Sequence, residues 1–205
     1  MATLAMARTG RRELRVLPPA SRATAVSSPV LGMLIFLGAE AMFFAGLVSA
    51  FIVLRSSAGI WPPPDQPRLP IEITAVNTAV LLLSALTMAR AVGARRAGRR
   101  PQLGRWLAIT AVLGATFLLV QGVEWVRLVQ HGLRLGPGLY GSLFAALIGA
   151  HALHVLGGLL VVTGTSVAAH RLRPILREDL VLPGALYWWF VVGVWPVLYV
   201  LVYLS

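Results

Sequence analysis

Five long stretches of the chain place apolar residues one after another with almost no polar break. They span residues 30–54, 73–94, 106–128, 139–169 and 181–204. Neither strict alternation nor a two-sided helical pattern runs through them, so they are apolar on every face. A helix needs roughly 20 apolar residues, at 1.5 Å each, to cross a hydrocarbon core of about 30 Å. All five stretches reach that length. Barrel strands would alternate in polarity and be about half as long. The pattern therefore predicts an all-α integral membrane bundle of five transmembrane helices. Residues 1–29 are expected to form a basic cytoplasmic tail before it, and residues 30–205 the transmembrane domain.

The few polar positions inside the spans come next. Glu40 lies roughly 15 Å into the first span, close to mid-membrane at 1.5 Å per residue. The fourth span enters from the opposite side, and His151 lies roughly 18 Å into it. His154 follows three residues later on the same side of the helix. Glu40, His151 and His154 thus share a depth, and a carboxylate can satisfy an imidazole by hydrogen bonding. Ionisable groups at that depth are costly and are functional candidates. An interhelical hydrogen-bond network and a proton relay are both open readings. Metal binding would need more ligands than Glu40 and the two histidines. Histidines at i and i+3 of one helix cannot be the two axial ligands of one haem.

Other polar groups read as packing or interface features. Glu124 lies roughly 27 Å into the third span, near the far interface. It follows Gln121 and precedes Trp125 and Arg127, which suggests an interfacial anchor or an ion pair with a neighbouring subunit. Asn77, Ser84 and Thr87 form a polar seam along the second span. Gly157 and Gly158 allow close helix approach in the fourth. Pro196 frees the carbonyl of Val192, so a bend is expected in the fifth. The loop at 60–70 carries five prolines and should be stiff, with Trp61 and Pro62 at headgroup level.

Composition and charge sharpen the orientation. Of 205 residues, 58% are hydrophobic and 12% charged, which excludes a disordered chain and argues against nucleic-acid binding. No Cys is present, so disulfides and thiolate metal sites are excluded. All 18 basic residues are Arg. Most fall before the first span, between spans two and three, and between spans four and five. The positive-inside rule then puts the N-terminus in the cytoplasm and the C-terminus outside, as an odd number of spans requires. Arg11-Arg12 is loosely similar to a twin-arginine signal, but the apolar run after it is too long for a signal core, so no cleavage is expected. No catalytic triad, phosphate loop or internal repeat appears.

Several segments together resemble subunit III of the haem-copper oxidases in its short five-helix bacterial form. The stretch from Leu37 to Gly46 resembles the family's first-span motif of a small residue, Glu, then Met-Phe-Phe. Trp61-Pro62-Pro63-Pro64 with Leu69-Pro70 and Thr74 to Asn77 resembles the next loop and span. Gln121 to Trp125, the paired histidines from Gly149 to Val155, and Tyr187-Trp188 with Trp195 resemble the later spans. The family's usual His and Asp in the last span are replaced by Trp189 and Val192, and Pro196 is unusual there.

The resemblance implies an accessory, non-catalytic subunit of a cytochrome c oxidase-type complex, supporting proton uptake and protecting the catalytic subunit. It implies no haem, copper or other metal in this chain, with haem and copper in partner subunits. Bound phospholipid is implied, as are catalytic subunit I and subunit II as partners, in the bacterial cytoplasmic (inner) membrane. Glu40 is implied as the functional glutamate, with His151 and His154 as its polar neighbours. Gln121, Glu124, Trp61 and Asn77 are candidate interfacial or subunit-contact residues. The departures in the last span leave open an accessory subunit of nitric oxide reductase. A stand-alone proton-coupled transporter is a third reading, disfavoured by the absence of repeats and broken helices.

Overall fold

The computed structural model describes residues 27–58, 69–131, 139–170 and 180–204. Five helices account for nearly all of them: α1 Ser28–Ser56, α2 Ile71–Arg96, α3 Arg100–Gln130, α4 Leu139–His170 and α5 Val181–Tyr203. No strand occurs among the described residues. Each helix is long and apolar enough to span a bilayer. They follow the predicted apolar stretches in order, and the chain is a multi-pass membrane protein. Trp61, most of the proline-rich loop and the basic tail through Val26 lie outside the described residues.

Local signals set several helix ends. Pro29 and Pro101 occupy the first turns of α1 and α3, where a missing N–H leaves no intrahelical bond unmade. The turn from α2 to α3 closes on Gly98, whose φ is +67°. The Arg99 N–H donates to Ala94 O at 2.9 Å and the Gly98 N–H to Arg95 O at 3.0 Å. That pair of bonds is a Schellman cap, and its left-handed position suits glycine. It ties α2 and α3 into a tight antiparallel hairpin. Arg90 lies over the Trp106 ring at 5.5 Å across the same end of the hairpin.

Helices α2, α3, α4 and α5 close into a ring, each packed on two neighbours, while α1 lies outside against α5 and α4. Only Phe44 and Phe51 of α1 are buried. The ring is centred on Trp188, which is 0% exposed. Its indole donates from Nε1 to Ser84 Oγ on α2 at 3.0 Å. Its ring edge occupies the space a side chain would need at Gly114 on α3 and at Gly158 on α4. A Cβ at Gly114 would lie 2.5 Å from Trp188 Cη2, and one at Gly158 would lie 2.9 Å from Cε3. Of the Gly157–Gly158 pair expected to allow close packing, Gly158 is the tightly approached position, and Gly114 is its counterpart on α3.

A run of aromatic donors on α5 fastens that helix to α2. Besides Trp188, Trp189 Nε1 donates to Ala85 O at 3.1 Å. Trp195 Nε1 donates to Thr78 Oγ1 at 2.8 Å, and the Tyr199 hydroxyl to Ile71 O at 3.1 Å. Buried indoles usually find an acceptor, and for these three indoles α2 supplies it. The register is antiparallel, since later α5 residues meet earlier α2 residues. Pro196 sits inside α5, and the helix runs through it.

Candidate functional site

Glu40 and His154 meet between α1 and α4. Glu40 Oε2 lies 2.8 Å from His154 Nε2. The other ring nitrogen, Nδ1, lies 2.7 Å from the carbonyl of Ala150, one turn earlier. A carbonyl only accepts, so Nδ1 carries a hydrogen and donates. One hydrogen must then lie between Nε2 and the carboxyl oxygen. The pair is either imidazolium with carboxylate or imidazole with carboxylic acid. Both arrangements hold the same proton count and no net charge, which suits a site inside the bilayer.

The surroundings of the pair are aromatic. Phe44 presents its edge to the His154 ring at 5.0 Å, and Phe43 stacks on it at 6.0 Å. The Tyr187 hydroxyl donates to the backbone carbonyl of His154 at 3.1 Å. That hydroxyl lies beside Gly157, where an added Cβ would meet it at an ordinary contact distance of 3.5 Å. The Glu40 and His154 side chains are 17% and 19% exposed, so the pair opens toward the outer flank of the bundle.

His151 does not join this pair. It turns into the ring interior, where it is 1% exposed. Its imidazole stacks on Trp195 at 4.9 Å and meets Phe117 edge-on at 6.3 Å. Neither of its nitrogens has a hydrogen-bond partner. The two histidines are one short turn apart in sequence and serve different surroundings. Among the described residues, no group of three or more His, Asp or Glu could hold a metal ion.

The other candidates are also placed. Asn77 is buried and donates from Nδ2 to Phe117 O at 3.0 Å, fixing α2 to α3. Thr87 and Thr110 share a hydrogen bond of 2.8 Å across the same interface. Gln121 donates from Nε2 to the Tyr203 hydroxyl at 2.9 Å, fixing α3 to α5. Glu124 is buried and pairs within its own helix with Arg127, at 3.1 Å. Within the chain its partner is thus Arg127, one turn further along α3. Trp189 and Val192, the departures in the last span, are packing residues here: Trp189 donates to Ala85 and Val192 is buried. The indole donors of α5 were not singled out from sequence. The available signal was the presence of acceptors, Thr78 and Ser84, on another span.

Comparison with known proteins agrees with this architecture. The family model described as "Cytochrome c oxidase subunit III" matches residues 21–205. The chain is 35% identical over 177 residues to "Cytochrome c oxidase subunit 3" of Synechocystis, covering 85% of this chain and 75% of that protein. It is 36% identical over 178 residues to "Probable cytochrome c oxidase subunit 3" of Nocardia farcinica, covering 84% of this chain and 86% of that one. It is 33% identical to "Cytochrome c oxidase subunit 3" of Corynebacterium diphtheriae over 178 residues, with the same coverages. These relatives carry the oxidase name and lend no support to the nitric oxide reductase alternative. The chain belongs to the cytochrome c oxidase subunit III family, accessory subunits of haem-copper oxidases.

Proposed function

We propose that this chain is the non-catalytic subunit III of a bacterial terminal oxidase, beside catalytic subunit I and subunit II in the cytoplasmic membrane. Haem and copper belong to those partners, and phospholipid fills the apolar flanks of the bundle. The N-terminus faces the cytoplasm, as the distribution of Arg supports. The Glu40–His154 pair is the site through which the subunit supports proton uptake. The observation that carries this reading is the 2.8 Å contact between a carboxyl oxygen and an imidazole nitrogen whose second nitrogen is already committed to Ala150. Such a pair holds one proton without net charge and faces the flank where a partner or lipid would sit.

Glu40→Gln tests it. A glutamine amide can donate to the bare Nε2 of a neutral His154, so the helix contact survives while the exchangeable carboxyl proton is lost. The variant subunit should remain in the complex, with slower proton uptake during turnover and faster inactivation. Normal uptake and turnover lifetime with Glu40→Gln would make the pair a purely structural tie between α1 and α4.

A further inference from the structure

Among the described residues, His151 is the one with two buried polar side-chain atoms that lack a partner. Its ring is 1% exposed, and both nitrogens lack a partner. A neutral imidazole carries one donor and one acceptor, and a buried polar group left unmet costs roughly 1–3 kcal/mol. The ring is walled by Trp195 of α5, Phe117 of α3 and Phe44 of α1. A side chain from another subunit cannot reach it through that wall. Its one ionisable neighbour on the same helix, His154, is committed on both nitrogens. The nearby indole of Trp195 already donates to Thr78. A second unmet atom belongs to the same layer: Asn77 Oδ1 is buried without a partner, while the Asn77 amide is held by Phe117 O. Asn77 bonds the backbone of Phe117, whose ring meets His151, and the next residue, Thr78, accepts from Trp195, which stacks on His151.

We infer that His151 is a hydration site: it holds internal water in the core of the α2–α5 ring, with Asn77 Oδ1 as a further acceptor in that layer. Water is the ligand whose size and dual hydrogen-bonding character suit one imidazole donor and one acceptor at full burial. The site is separate from the Glu40–His154 pair, because His154 has no nitrogen free to extend a chain of hydrogen bonds toward it.

Trp195 and Trp188 provide matched internal probes. Both are 0% exposed, both lie on α5, and both donate to a hydroxyl on α2. Only Trp195 stacks on His151. The chain, in whatever assembly it is purified with, would be exposed to brief X-ray radiolysis in 18O-water and digested for mass spectrometry. Hydroxyl radicals form where water is bound, so Trp195 and Phe117 should take up 18O several-fold faster than Trp188. Equal labelling of Trp195 and Trp188 would overturn the inference, with no variant needed. His151→Phe should bring Trp195 down to the level of Trp188, and undiminished labelling there would also overturn it.

Discussion

Adding one methyl group at Gly114 should be among the more damaging small changes the bundle can suffer. The new Cβ would lie 2.5 Å from Cη2 and 2.8 Å from Cζ2 of Trp188. Carbon atoms in contact prefer about 3.5–4.0 Å, so about 1 Å of separation must be created. Trp188 cannot supply it. Its opposite edge already fills the space over Gly158, and its Nε1 is tied to Ser84 at 3.0 Å. Helix α3 must therefore move away from α5, opening contacts on both sides. Overpacking of this kind costs roughly 1–3 kcal/mol. Gly122→Ala in the same helix is the control, since nothing lies within 4 Å of a Cβ there. Thermal unfolding of the purified assembly, followed by near-UV circular dichroism, reads the difference. Gly114→Ala should lower the midpoint clearly, and Gly122→Ala should leave it unchanged or slightly higher. Combining Gly114→Ala with Trp188→Phe, whose smaller ring vacates the clash, should cost less than the sum of the single changes. Full additivity, or a Gly114→Ala protein as stable as the control, would refute the clamped position of Trp188.

Two further changes probe the hairpin of α2 and α3. Gly98→Val places a β-branched residue at φ +67° and should destabilise by roughly 1–2 kcal/mol, measurable in the same unfolding assay. Thr110→Val keeps the side-chain volume but removes the 2.8 Å bond to Thr87, and a loss of about 1 kcal/mol or less is expected from interhelical bonds in membrane proteins.

The five spans were legible because bilayer thickness turns length and apolarity into a single readable signal. The depth argument also brought Glu40 level with His154, since rise per residue is fixed. Which way each side chain turns was not legible. The helices are apolar all round, so no polar face marks the outside of the bundle as it would in water. His151 and His154 share a helix side, yet three residues amount to about 300° of rotation, leaving roughly 60° between them. That offset suffices to put His154 on α1 and His151 among Phe117 and Trp195. The Arg127–Glu124 pair was legible from its i,i+3 spacing alone. Gly114 could not be separated from other glycines, which are common in membrane helices. Only the tertiary position of Trp188 gives it meaning. At the positions where the resemblance implies His and Asp, Trp189 donates to Ala85 of α2 and Val192 is buried in the core.

A bundle that works as subunit III within an oxidase must travel with a catalytic subunit. The most direct measurement is affinity purification of the tagged chain from its native membrane, with subunit identification by mass spectrometry and haem spectra. A haem-copper catalytic subunit should be recovered in fixed stoichiometry with the chain. Recovery of the chain alone, from membranes in which the oxidase assembles fully without it, would contradict the account.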